Sequence, residues 1–223
     1  MKNTLKGMLI AAAFAVGLTP LLNTSAIARD ITIDLSGEPA TMDPHKQWNP
    51  TSYYVYRNIF DNLLTRDNDG EIVGQIATSW KQTSESTLEL TIREGVSFHD
   101  GVDLKPSDVV FSVKRITNKD FGSQQLGQFN KIVDASAKGN VVTLTTAGPY
   151  PALMAQLVKL SIVPEHVVKA VGDDAFNAAP IGSGAYAFSE WDRGVSVTLA
   201  RNENYWGAKG PFDKAIFLSL IHI

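Results

Sequence analysis

The stretch Arg93-Glu94-Gly95-Val96-Ser97-Phe98-His99-Asp100-Gly101, followed closely by Pro106-Ser107-Asp108-Val109-Val110-Phe111-Ser112-Val113-Lys114-Arg115, decides the architecture of this chain. Just upstream, Leu88, Leu90 and Ile92 alternate with Glu89, Thr91 and Arg93, the period of two expected of a half-buried strand. Glu94-Gly95 interrupts the alternation, Val96 and Phe98 resume it, and Asp100-Gly101 ends it. This is a hairpin-rich β segment whose turns use glycine for positive φ. Pro106 then sits where a first helical turn tolerates a missing N–H, and Asp108 meets the positive end of the helix dipole. Val109, Val113 and Ile116 share one face, so a helix of about three turns is expected.

Working outward, Ile31-Thr32-Ile33-Asp34-Leu35 alternates as a strand and stops at Gly37 and Pro39. From Thr51 the pattern changes. Val55, Ile59 and Leu63 step by four, as do Tyr56, Phe60 and Leu64, which predicts one helix with a broad apolar stripe starting near Asn49-Pro50. Asp69-Gly70 reads as a turn, and Trp80 as a core residue. Downstream, a strand follows Lys138-Gly139-Asn140 at Val141–Leu144, and Pro151 opens a short helix through Leu157. Further strands are expected at Tyr186–Phe188, at Val195–Leu199 and at Ile216–Leu220, where Ile216, Leu218 and Leu220 form an apolar edge without covering partners. Strands and helices mix without a strict βαβ rhythm, so the fold class is α+β.

Composition narrows the function. The chain has 223 residues, 44% of them hydrophobic, and a net charge of -3, which leaves no basic field to hold a nucleic acid. Cysteine is absent, so disulfides, thiolate metal sites and cysteine nucleophiles are excluded. Lys2 and Lys6 precede an uncharged apolar run from Met8 to Leu18, and Ala26-Ile27-Ala28 supplies a small-x-small cleavage pattern. That run is much shorter than the roughly 20 residues needed to span a bilayer, so 1–28 reads as a secretory signal peptide cleaved after Ala28. The processed chain is not expected to span a membrane.

No residue is assigned a catalytic role. His99 and Asp100 are adjacent on an extended segment and point to opposite faces, which prevents a base–orienter pair. His45, His99, His166 and His222 lack metal-ligand spacing and read as free histidines on loops and helix ends. Gly182-Ser183-Gly184 lacks the lysine of a phosphate loop and the spacing of a nucleophile elbow; a tight backbone turn explains its glycines. No cofactor is expected. The group that points to a ligand is Trp48, Asn49, Tyr53 and Tyr54, because aromatics with a polar tip suit the half-wet wall of a cleft. Tyr56 falls on the apolar stripe and belongs to the core, and for Trp48 and Tyr53 an ordinary surface or core role stands beside the cleft reading.

In this order, Met42-Asp43-Pro44, Phe60-Asp61-Asn62-Leu63-Leu64, Ala77-Thr78-Ser79-Trp80, the Arg93–Gly101 block, Ser107–Arg115, Pro180–Tyr186 and Arg201-Asn202-Glu203-Asn204-Tyr205-Trp206-Gly207 resemble the family 5 extracellular solute-binding proteins. These are the peptide and nickel-type receptors of ABC importers. The resemblance implies the first lobe of a two-lobe periplasmic binding protein, with the chain stopping before the second lobe. It places a base at 29–62 and 180–223 and an inserted smaller β-rich subdomain at 63–179. It also implies a periplasmic location, a peptide or other small solute as ligand, and ABC permease subunits as partners. Two other classes stay open: a secreted hydrolase of peptides or glycosides, and a truncated fragment with no ligand.

Overall fold

The chain passes from one hydrophobic core to another between Phe60 and Leu63 in the computed structural model, which describes residues 29–220. The signal peptide expected at 1–28, and His222, lie outside the described residues. In chain order the elements are β1 (Asp30–Leu35), α1 (Pro50–Tyr56), β2 (Leu64–Arg66), β3 (Ile72–Gly74), β4 (Ala77–Ser84), β5 (Thr87–Ile92) and α2 (Pro106–Thr117). They continue with α3 (Leu126–Phe129), β6 (Ile132–Lys138), β7 (Val141–Thr146), α4 (Leu153–Leu157), α5 (Glu165–Val171), α6 (Asp173–Ala178), β8 (Tyr186–Asp192), β9 (Ser196–Arg201) and β10 (Lys214–Ser219). The result is a mixed α and β fold, with one four-stranded sheet in each half.

The first sheet has the order β1-β10-β9-β8, with β1 parallel to β10 and the remaining pairs antiparallel. Register sets Ile31 beside Ala215, Ile33 beside Phe217, and Leu35 beside Ser219, so alternate residues of β1 and β10 turn one face toward Val55, Tyr56, Ile59 and Phe60. The second sheet has the order β4-β5-β7-β6 and is antiparallel throughout. Leu88, Leu90 and Ile92 of β5 and Val142 and Leu144 of β7 bury one face against Val109, Val113 and Ile116 of α2. The 12-residue α2 thus has the apolar face its sequence predicts.

Three expectations need correction. The helix beginning near Pro50 ends at Tyr56 rather than running to Leu64. The four-residue steps continue past Tyr56 only because a turn carries Ile59 and Phe60 back onto the core of the first sheet, while Leu63 and Leu64 cross into the other core. Trp80 is not buried: β4 is an edge strand and leaves it 38% exposed. Finally, β10 is no edge. It lies between β1 and β9, its buried residues are Ala215, Phe217 and Ser219, and Ile216 and Leu218 are half-buried on the other face.

The turn expected at Asp100-Gly101 is present, with Gly101 at φ 85 and its N–H donating to the Phe98 carbonyl. Gly182 and Gly184 have another reason to be glycine. Both lack positive φ, and a Cβ on either would lie 2.1 and 2.4 Å from the carbonyl oxygens of Ile59 and Asn58, so close backbone approach demands them.

Candidate functional site

The segment Thr41–His45 is buried and held by side chains from three other parts of the chain. Asn177 Oδ1 accepts from Thr41 Oγ1 at 2.7 Å and from the backbone N–H of Met42 at 2.8 Å. Gln125 Nε2 donates to the Pro44 carbonyl at 2.7 Å, and Ser123 Oγ to the His45 carbonyl at 2.6 Å. Arg115, at the end of α2, donates to both oxygens of Asp43 and, at 2.6 Å, to Asp173 at the start of α6. Burial pushes the Asp43 carboxyl up, but the Arg115 guanidinium overrides it and holds the group below the ordinary carboxylate range.

His45 is therefore a structural histidine rather than a free one on a loop. Its ring is fully buried, with Nε2 2.8 Å from the Ser161 carbonyl and Nδ1 3.2 Å from Arg115 Nη1. A guanidinium only donates, so Nδ1 accepts and Nε2 carries the proton. Burial, reinforced by the Arg115 charge, pushes His45 down to about 4. The ring is neutral at pH 7.

A second network joins motifs far apart in sequence. Asp61, 1% exposed, accepts from Gln75 Nε2 at 2.8 Å and from Tyr205 Oη, Trp206 Nε1 and Ser183 Oγ, each at 2.9 Å. No cation pairs with it among the described residues. Burial pushes the carboxyl up, and the four donors oppose that without cancelling it. His99 ties down the same turn: Gly182 N–H donates to Nδ1 at 3.3 Å and Nε2 donates to the Gly184 carbonyl at 3.0 Å. Asp100 points the other way and meets His166 Nε2 at 2.7 Å. The two neighbours therefore have different partners and form no base–orienter pair, although they lie in a turn rather than on the extended segment expected from sequence.

These networks display an aromatic surface. Asn49 caps α1, its Oδ1 accepting from Ser52 N–H at 2.8 Å, which leaves its amide NH2 for other contacts. Trp48 and Tyr54 are 40% and 52% exposed, and Tyr53 is half-buried between them. The Trp48 and Tyr53 rings lie 5.4 Å apart, and Tyr53 meets the buried Tyr56 edge-on at 5.7 Å. Of the four residues singled out from sequence, Trp48, Tyr53 and Tyr54 thus form one surface, and Asn49 fixes the helix that carries two of them. Sequence reading missed the cations beside it. Arg57 lies 5.2 Å from the Tyr53 ring and Lys159 Nζ 5.3 Å from the Trp48 ring, while Arg66 lines the adjoining cleft. The four-residue step from Tyr53 to Arg57 was a legible signal for one of them; the others arrive through the tertiary fold.

Residues 71–220 match the model for bacterial extracellular solute-binding proteins, family 5 (middle). The chain belongs to this family. Protein XP55 of Streptomyces lividans is 30% identical to this chain over 214 residues, covering 89% of this chain and 38% of that protein. The periplasmic oligopeptide-binding protein OppA of Salmonella typhimurium is 26% identical, covering 99% of this chain and 46% of its own length. The solved structure of NikZ from Campylobacter jejuni in complex with Ni(L-His) superposes with a TM-score of 0.80 at 25% identity, over 86% of this chain and 39% of that one. The family 5 chain described here therefore spans less than half the length of these relatives. Its fold is the periplasmic binding protein fold over the shared region. Among the described residues no helix is long and apolar enough to cross a membrane.

Proposed function

We propose that this chain belongs to the periplasmic substrate-binding component of an ABC importer, which captures a peptide or similar small solute and passes it to a membrane permease. The observation that carries the reading is the Trp48–Tyr53–Tyr54 surface, open to solvent beside a cleft in a member of a solute-binding family. Trp48, Tyr53 and Tyr54 supply apolar contact with polar tips, and the Asn49 amide a hydrogen-bond donor. Residues 29–62 and 180–223 serve as a base and 63–179 as an inserted subdomain, with Val163, Val168 and Phe176 packing back into the base. Export follows from the leader expected at 1–28. The role is binding rather than turnover: both ring nitrogens of His99 are committed to backbone groups, so His99 is not available as a base beside Asp100. Calorimetric titration with di- to pentapeptides, paired with chromatography of the recovered peptides, is the test. Binding without cleavage that weakens on Trp48→Ala supports the proposal; cleavage, or binding indifferent to Trp48, contradicts it.

A further inference from the structure

Between α1 and the β2–β3 hairpin lies a cleft of about 260 Å³ bounded by Tyr53, Arg57, Asn62, Arg66 and Gln75. No aspartate or glutamate lines it. The chain as a whole carries a net charge of -3, so two arginines facing one cleft without an acid depart from its average. Among the other arginines, Arg115 pairs with Asp43 and Asp173, Arg193 with Glu38, and Arg201 with Glu203 and Asp213, while Arg93 has no acid partner among the described residues but donates to the Gln75 carbonyl and lies over the Trp206 ring. Arg57 and Arg66 have no carboxylate within ion-pair reach among the described residues, and neither has Lys159 beside Trp48. The acids of the neighbouring β2–β3 turn do not serve them. Asp67 Oδ1 is taken by the backbone N–H groups of Asp69 and Glu71.

The two amides of the same wall are already committed. Asn62 donates to the Val158 carbonyl and accepts from Ser161 Oγ, while Gln75 donates to Asp61 and accepts from the Asn62 N–H. Arg66 Nη1 donates to the Gly70 carbonyl at 2.5 Å and keeps its other donors, and the exposed Arg57 guanidinium lies 5.2 Å from the Tyr53 ring centroid. What remains for a ligand is the two guanidinium groups, the Thr65 hydroxyl and an aromatic face. A guanidinium fork matches the two oxygens of a carboxylate.

We propose that this cleft takes the anionic end of the solute, a carboxylate or comparable oxyanion held between Arg57 and Arg66, with the body of the solute on Trp48 and Tyr53. The inference rests on the reading of that aromatic surface as the ligand contact. Lys159 adds a third positive charge near the surface and raises the local concentration of anions.

The test is a set of nuclear magnetic resonance titrations of the 15N-labelled chain, following the Trp48 indole N–H, assigned by its disappearance in Trp48→Phe. The probes are trialanine, trialanine amide and glutarate, each at up to millimolar concentrations. A carboxylate probe should move the Trp48 signal at lower concentration than trialanine amide, and Arg57→Gln or Arg66→Gln should weaken that response about tenfold, the scale of one charge-assisted hydrogen bond. Response to trialanine alone identifies a peptide terminus as the anion; response to glutarate identifies a small organic acid. Both arginines are exposed, and unchanged thermal melting of the variants confirms an intact fold. If trialanine amide binds as well as trialanine, or the arginine variants change nothing while Trp48 still responds, the anionic assignment fails and the aromatic surface survives. If no probe moves Trp48, both readings fall.

Discussion

Arg115 grips Asp43 with two nitrogens, Nη1 to Oδ1 at 2.9 Å and Nη2 to Oδ2 at 2.5 Å, and both residues are buried. The pair fastens the loop before Trp48 to the end of α2, so it links the core under the second sheet to the aromatic surface. Asp43→Asn keeps the shape but leaves the guanidinium without its full counter-charge. It should cost about 3 kcal/mol in urea unfolding, the scale of breaking a buried ion pair. Trp48 fluorescence should change as well, because the loop that positions it loosens. A cost below about 1 kcal/mol would mean that Asp173 alone satisfies Arg115.

His45 gives a pH dependence with a defined sign. Its ionisation is depressed to about 4 in the fold, from an ordinary value of 6.5, so the unfolded chain binds the extra proton first. Stability is therefore full above pH 6.5 and falls as pH drops toward 4, by up to about 3 kcal/mol. Asp43, also depressed, works in the same direction at lower pH. Urea midpoints at pH 7 and pH 4.5 should differ less in His45→Gln than in the parent, with the half-buried His99, whose pKa desolvation also lowers, retaining part of the slope. An equal difference in both proteins would contradict this assignment.

Asp61 is the acceptor that holds three motifs together, and its replacement separates charge from geometry. Asp61→Asn puts an NH2 group against two donors, so one pair of hydrogen bonds is lost and a cost of about 1–3 kcal/mol follows. Asp61→Ala strands Tyr205, Trp206, Ser183 and Gln75 together and should cost more. The order is checked by denaturant unfolding and by the near-ultraviolet circular dichroism of Trp206. Equal stability of the two variants would show that these donors find other partners.

The glycines make a comparison inside one protein. Gly101→Ala meets nothing within 4 Å and costs only its positive φ, about 1 kcal/mol. Gly182→Ala drives a Cβ to 2.1 Å from the Ile59 carbonyl oxygen and should cost at least twice as much, or prevent folding. Measured melting temperatures should follow that order. The reverse order would mean that the Asn58–Ile59 backbone yields easily.

What the sequence made legible was local. Alternation at Leu88–Ile92 and the shared face of Val109, Val113 and Ile116 are short-range patterns, and both appear where expected. The step of four through Leu63 and Leu64 misled because a turn at residues 57–60 preserves the same inward spacing as a helix while the chain changes cores. Trp80 and β10 misled because edge or centre is a property of strand order, which pairs β1 with a strand 184 positions away at Asp30 and Lys214. In the candidate site, Trp48, Tyr53 and Tyr54 were visible as a cluster in sequence. Arg66 and Lys159 were not, since only folding brings residues so far apart to one surface, and no local pattern shows the contacts that Asp61 and Asp43 make with distant residues.

The most direct measurement is photo-crosslinking with a tripeptide carrying a benzophenone side chain, followed by mass mapping of the labelled residues. Crosslinks should fall between Trp48 and Arg57, and an excess of unlabelled tripeptide should suppress them. Saturable labelling concentrated instead around Asp100 and His166, with Trp48 to Arg57 untouched, would contradict the placement of the ligand on the aromatic surface.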